Sequence, residues 1–280
     1  MENLTVCNLC NSSNIWLVDK NTNICRCKDC GYIFDNPRPA LNEIIDYYSQ
    51  KNKHDSCLCE AQERVLLWKR RLAVIKKYKS SGRLLDIGAG IGQFLFFAQS
   101  DFKVKGTEVS KSAIEIAKQK YGIILAEGLI ENISFDSKFE VITLFHVLEH
   151  VLDLNLCCAR ILSVLKTGGI LIIRVPFREN LSQYLEVTYP YKYVHLRNFD
   201  EYSLRLLFER IFGCEYVEVA MAGYTPSTNR LRYPMPFQKV NVIACRFVSG
   251  IKTIYKPAYE LLLKKLYDPI VINVVVRRGK

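Results

Sequence analysis

Apolar residues along this chain gather into short runs, and helical segments fill the gaps between them. The runs predict strands over Arg83–Ile87, Lys103–Glu108, Ile123–Glu127, Glu140–Phe145, Ile170–Pro176, Glu215–Met221 and Val271–Val276. Between them, spacing of three and four predicts helices over Gln93–Ser100, Ser110–Tyr121, Leu154–Leu165 and Ser203–Phe212. Gly168-Gly169 after Lys166 reads as a helix stop followed by a strand. Upstream, residues 41 to about 80 read as helical, with Val65, Trp68, Leu72 and Ile75 on one face and Lys69, Arg70 and Lys76 elsewhere. Strands alternating with helices predict an α/β fold, a parallel sheet covered on both faces. The alternation breaks over 222–269. Four prolines between Pro226 and Pro257, together with a basic helical stretch, read as an insertion before the final strand.

Three parts result: a cysteine-rich segment 1–40 ending in the rigid Asn36-Pro37-Arg38-Pro39, a helical region 41–80, and the alternating domain 81–280. The chain has 280 residues, 49% of them hydrophobic, enough for one large core and a small satellite. Met1-Glu2-Asn3-Leu4 does not resemble a signal peptide, and no uncharged apolar run approaches the roughly 18 to 20 residues that span a bilayer. The expectation is a soluble cytoplasmic protein, whose eleven cysteines then serve as metal ligands or reduced thiols. Of the net charge of +11, Thr228–Lys280 carries +9, from eleven Lys and Arg against Glu260 and Asp268. A basic end suits an anionic partner (nucleic acid, lipid headgroups, a phosphorylated substrate) or is simply a solvated surface.

Cys7-x2-Cys10 and Cys27-x2-Cys30 stand sixteen residues apart, the pattern of a zinc ribbon. Each knuckle offers two thiolates from a tight turn, and four complete a tetrahedron that leaves no position for substrate. The predicted zinc is therefore structural, and it supplies folding energy that so small a segment lacks. Cys25 is an extra thiol beside the second knuckle that could swap in as a ligand, and Cys57, Cys59, Cys157 and Cys158 fall outside the pattern and read as packing residues.

Leu84-Leu85-Asp86-Ile87-Gly88-Ala89-Gly90-Ile91-Gly92 is a strand that breaks into three alternating glycines and then a helix start. Such a loop lets a ligand approach the backbone and offers it free N–H groups. In an open α/β sheet this end of the strands is where ligands bind. Glu108 ends the second strand, where a carboxylate can accept both hydroxyls of a ribose. Asp86 beside the loop would repel a pyrophosphate but attract an ammonium group. That favours S-adenosylmethionine, which carries an ammonium and a sulfonium and no phosphate, over a dinucleotide.

These residues resemble a known family. LLDIGAGIGQF at 84–94, Glu108, FHVLEHV at 145–151 and LKTGGILIIRVP at 165–176 are similar to the motifs of class I S-adenosylmethionine-dependent methyltransferases. HLRNFDEYSLRLLFERIFG at 195–213 resembles the segment that follows them in many members. The resemblance spans roughly 80–221. It implies a Rossmann-like seven-stranded sheet with Val271–Val276 antiparallel, and cofactor contacts from Asp86, Gly88, Gly90, Gly92, Glu108, Gly128, Leu129 and Phe145. At Gly128-Leu129 the family often has Gly-Asp, the acid holding the adenine amine. Here the adenine would rest on backbone groups and Leu129. The fused ribbon resembles a bacterial subgroup acting on small molecules, sugar nucleotides or surface-polysaccharide precursors. A second zinc-linked group methylates ribosomal RNA.

Methyl transfer aligns nucleophile, methyl and sulfur, and some acceptors must lose a proton. His146, after the fourth strand, and His195, after the fifth, are the candidate base or positioning pair. Glu149 and His150 read as hydrogen-bonding within the fold. Tyr184, Tyr189, Tyr191 and Tyr193 could stack on a substrate or form a lid. The basic stretch Arg246–Lys265 reads as a helix lidding the site, with peripheral membrane contact as the alternative. The reading is thus methyl transfer to a small-molecule partner, a sugar or surface-polysaccharide precursor. The alternatives are a zinc-ribbon RNA methyltransferase and an inactive methyltransferase-fold binding module.

Overall fold

A computed structural model describes residues 1–19, 23–50, 61–177, 195–196, 199–222 and 271–279. The cysteine-rich segment forms a three-stranded antiparallel sheet of β1 (Ile15–Asp19), β2 (Ile24–Cys27) and β3 (Ile33–Asp35). Helices α1 (Leu41–Ser49) and α2 (Ala61–Lys76) follow. Trp68, Leu72 and Ile75 of the predicted apolar face pack with Phe94, Leu95 and Ala98.

The main sheet has seven strands: β4 (Gly82–Ile87), β5 (Phe102–Glu108), β6 (Ala126–Glu127), β7 (Phe139–Phe145), β8 (Leu165–Pro176), β9 (Glu215–Ala222) and β10 (Val271–Arg277). Their order is β6-β5-β4-β7-β8-β10-β9. Strands β4 to β8 pair in parallel, and β10 runs antiparallel to both neighbours. Helices α3 (Gln93–Ala98), α4 (Lys111–Tyr121) and α5 (Leu154–Val164) make the crossovers, and α6 (Glu201–Arg205) precedes β9. A buried parallel sheet asks for continuous apolar strands. Leu84, Leu85, Val141, Ile142, Leu171 and Ile173 supply them, each at most 1% exposed. Side chains at the helix starts fix the crossovers: Ser110 Oγ accepts the Ala113 amide, and Asp153 accepts the Leu156 amide at 2.9 Å.

Several boundaries differ from the sequence reading. The third strand shrinks to Ala126–Glu127, because Gly122 ends α4 in a left-handed turn and Ile123 and Leu125 become buried plugs on an edge. Gly168-Gly169 does not stop the helix. That helix ends at Val164, and the glycines lie inside β8, where Gly168 (φ 69°) and Gly169 exchange backbone hydrogen bonds with Arg278. The last predicted helix begins two residues early, capped by Asp200, and becomes a π-helix over Leu206–Ile211. The expected insertion 222–269 lies outside the described residues beyond Ala222, as do Tyr184, Tyr189, Tyr191, Tyr193, Cys57 and Cys59. No helix among the described residues is long and apolar enough to cross a membrane.

The small sheet is pinned to the large one. Asn8 Nδ2 and Arg38 Nη1 both donate to the Leu152 carbonyl at 2.6 Å, and Asn155 Nδ2 donates to the Asn8 carbonyl at 3.3 Å. Asp35 N donates to the Leu196 carbonyl at 3.1 Å, and the Tyr32 ring lies against Phe199. Cys7, Leu9, Tyr32 and Phe34 thereby belong to one apolar cluster with Leu144, Leu148, Ile173 and Phe208.

Candidate active site

Strand order reverses at β4, which has β5 on one side and β7 on the other. Loops leaving the carboxyl ends of these strands diverge there and open a crevice. A cavity of about 460 Å³ occupies it. Gly88, Gly90, Glu108, Gly128, Leu129 and His146 of the predicted set line it.

The glycine loop is shaped by necessity. Gly88 has φ 65°, and a Cβ there would lie 2.5 Å from Val147 Cγ2. Gly90 has φ 54° and would meet nothing within 4 Å, so its backbone borders open space. Glu108 braces the loop from β5. Its Oε2 accepts Gly90 N at 2.8 Å, while Oε1 accepts Val109 N at 2.8 Å and Ser110 N at 3.0 Å. The carboxylate is thus held in place at the cavity wall, with lone pairs left for a ligand's hydroxyls.

Three predicted cofactor contacts lie elsewhere. Gly92 starts α3 away from the cavity lining, and a Cβ there would press on Ala117 and Ile123. Phe145 packs edge-on against Phe94 and lies 6.5 Å from Trp68 between ring centroids. Alternation along β7 puts Val141 and Phe145 in the cluster around Phe94, while Ile142 and Leu144 join the one containing Ile87. Asp86 sits beneath the loop at 3% exposure, accepting Thr143 Oγ1 at 2.6 Å. Burial pushes its carboxyl up to about 7, against the Thr143 hydrogen bond and the Arg71 charge; Glu108's charge adds to the rise. Arg71 itself stacks on Phe145 and Trp68, 4.3 and 4.6 Å from the ring centroids, and burial lowers it to about 9. Glu108, unlike Asp86, lines the cavity beside the glycine loop.

Beyond the loop, side chains of FHVLEHV gather around one carboxylate. Glu149 is fully buried. Its Oε1 lies 3.3 Å from His146 Nδ1 and 3.8 Å from His150 Nε2, and its Oε2 has no hydrogen-bond partner. Burial alone would raise this carboxyl, yet the His146 hydrogen bond and the charges of His150 and His195 hold it below its ordinary value. His146 has φ 61°, rare for a residue with a side chain. Its backbone N donates to the Arg174 carbonyl, and Arg174 Nε donates to its Nε2 at 3.3 Å. With Nε2 accepting from Arg174 and Nδ1 against Glu149, the His146 ring is held in one orientation at the cavity wall.

His195 does not pair with His146. Its ring lies 4.8 Å from that of His150, which faces the cavity beside Tyr48. The Tyr48 hydroxyl, also on the cavity wall, is 3.1 Å from the His150 ring nitrogens. Glu149 and His150 make hydrogen bonds within the fold, as read from the sequence, and His150 also lines the cavity; Tyr48 is a lining residue that sequence reasoning missed. The Glu-His pair just after an apolar strand was a legible signal, whereas Tyr48 gave none.

The predicted metal ligands do converge. Cys7 Sγ and Cys30 Sγ are 3.6 Å apart, as are those of Cys10 and Cys27, and all four lie within 4.8 Å of one another. Four sulfurs about 2.3 Å from a tetrahedral ion stand roughly 3.8 Å apart, so the set fits a thiolate-bound metal. Cys157 and Cys158 are buried, as the packing reading expects.

A family profile described as a methyltransferase domain matches residues 59–219, more than half of the chain. A demethylmenaquinone methyltransferase of Bacteroides fragilis is 26% identical over 179 residues, 56% of this chain and 67% of the relative. An S-adenosylmethionine-dependent methyltransferase from Archaeoglobus fulgidus superposes with a TM-score of 0.56 at 18% identity, over 77% of this chain and 94% of that one. Phosphoethanolamine N-methyltransferase 2 of Haemonchus contortus, solved with S-adenosyl-L-methionine, gives a TM-score of 0.52 at 17% identity, over 89% of this chain and 62% of that one. Strand order, the braced glycine loop and the matched profile agree: this chain belongs to the methyltransferase-domain family and is an S-adenosylmethionine-dependent methyltransferase.

Proposed function

We propose that this enzyme methylates a hydroxyl-bearing small molecule, a sugar or surface-polysaccharide precursor, and that its four-cysteine cluster holds a structural zinc. The observation that carries the reading is the single cavity that joins Glu108 and the glycine loop at one end to His146, His150 and Tyr48 at the other. S-adenosylmethionine, when bound, supplies a methyl group on a positively charged sulfur. Gly88, Gly90 and Glu108 would hold it, with Leu129 and Ile130 against its adenine. Tyr48 and His150 give the acceptor's hydroxyl polar partners, and the oriented His146 borders the same space. In the ribbon, Arg26 and Lys28 with Lys20 are the only basic residues between Cys10 and Cys30, which argues against an RNA-binding face there.

A second acceptor class has one observation of its own. The relative named above acts on demethylmenaquinone by its name, and Leu41, Ile44, Ile45, Leu152 and Leu156 give the cavity an apolar flank. A hydroxylated aromatic ring would suit that flank.

The test is transfer of labelled methyl from S-adenosylmethionine to three acceptor sets: nucleotide-linked sugars, hydroxylated quinol rings and ribosomal RNA. Label on the sugars supports the proposal. Label on the quinols alone or on RNA alone replaces it, and failure to bind S-adenosylmethionine in calorimetry indicates the inactive binding module.

A further inference from the structure

We propose that Glu149, His150 and His195 form a second metal site, separate from the four cysteines, that holds a redox-inert divalent cation at the acceptor end of the cavity. The proposal rests on the reading of that end as the acceptor site.

The three residues come from two places: a short 3-10 turn over Leu148–His150 after β7, and the segment after β8 that carries His195. One potential ligand atom from each lies within 4.8 Å of the others. The fold holds them there. Leu196 N donates to the Glu149 carbonyl at 3.0 Å, and the Leu196 carbonyl accepts Asp35 N from β3, so the backbone beside His195 is clamped on both sides.

An independent observation points to a ligand. Glu149 is buried completely, yet its Oε2 has no hydrogen-bond partner. A buried carboxylate oxygen without a partner carries an uncompensated desolvation cost. A cation held by this carboxylate and the two imidazoles would remove that cost; the carboxylate's other oxygen, Oε1, lies 3.8 Å from His150 Nε2 and 3.3 Å from His146 Nδ1. Two histidines and one carboxylate are also the donor set of open catalytic sites, in which three protein ligands leave a position for water or substrate. Nitrogen and oxygen ligands about 2.0 to 2.2 Å from a tetrahedral ion stand roughly 3.4 Å apart, so loading would tighten a set whose atoms now lie within 4.8 Å of one another. Among the described residues, Arg174 is engaged by His146 and Asn273.

The open position faces the cavity through His150. An acceptor hydroxyl bound there would lose its proton to water more readily, because the cation stabilises the resulting oxyanion. The chemistry therefore selects acceptors with an oxygen nucleophile.

Manganese(II) tests the site, because it favours nitrogen and oxygen donors over thiolates and leaves the cysteine cluster to zinc. Full-length protein stripped to one zinc per chain, the amount the cysteine cluster takes, is titrated with manganese and free ion is read by electron paramagnetic resonance. One tightly bound manganese per chain is expected. His195→Ala should weaken binding at least 10-fold, as loss of one of three ligands requires, and Glu149→Gln should do the same. Thermal melting confirms that each variant folds; if Glu149→Gln does not, His195→Ala alone decides. S-adenosylmethionine affinity by calorimetry should stay unchanged in His195→Ala. Absence of bound manganese at millimolar concentration, or equal binding by wild type and His195→Ala, overturns the proposal. Bound manganese without methylation of any hydroxyl acceptor would leave this site standing and overturn the acceptor reading instead.

Discussion

Glu108 Oε2 accepts the backbone amide of Gly90 at 2.8 Å, so the carboxylate that faces the cavity also fixes the loop beside it. One side chain thus does two jobs. Glu108→Ala should weaken S-adenosylmethionine binding by roughly 1 to 3 kcal/mol, the cost of losing a charged acceptor. Glu108→Gln should lose less, since its amide oxygen can still accept one loop N–H. Calorimetric titration of both variants checks this, and wild-type affinity in Glu108→Ala would contradict the ribose assignment.

Asp86 gives the fold a pH signature. Its carboxyl is raised to about 7 in the folded protein from an ordinary value near 3.8. Between those values the folded state holds a proton that the unfolded chain has released. Its contribution is therefore fully present below about pH 4 and is lost as pH rises towards 7. Asp86→Asn should flatten that part of the stability profile in ligand-free protein. Denaturant midpoints at pH 5 and pH 8 measure it: the gap between them should narrow in the variant.

Tyr48→Phe removes the hydroxyl that lies 3.1 Å from the His150 ring nitrogens and keeps the ring that packs edge-on against His150. Loss of one such hydrogen bond should lower kcat roughly 3- to 10-fold with S-adenosylmethionine affinity unchanged. An equal change in cofactor affinity would mean that Tyr48 serves the cofactor end of the cavity.

Removing the zinc proposed for the cysteine cluster should reach the cavity. Leu152 lines that cavity, and its carbonyl is held by Asn8 and Arg38, which flank the cysteine strands. A strong chelator, or Cys27→Ser, should lower thermal stability and cofactor affinity together. Arg38→Ala tests the link without touching a cysteine. It should destabilise by about 1.5 to 3 kcal/mol, because its charged donor is part-buried. Zinc content and melting temperature are the measurements.

What was legible in the sequence was local. Gly88, Gly90 and Glu108 are each placed by a strand end, so strand periodicity located them. The four cysteines follow from spacing alone. Phe145 shows where that reasoning thins out: it stands at a strand end too, but the two-residue alternation sends its ring to the face holding Phe94. Asp86 was expected at the rim, yet it points the same way and is covered by Thr143. Tyr48 meets His150 across 102 residues, and nothing in the intervening chain announces that contact. Glu149 was visible in the motif, but a buried carboxylate with one partnered oxygen is a property of three-dimensional packing.

The shared Leu152 carbonyl has a wider consequence. A cell short of zinc, or one under oxidant attack on its thiols, would loosen the wall of the methylation chamber from outside. With the proposed zinc in place, supply of a trace element and cellular redox balance would then bear on how much of this enzyme is competent.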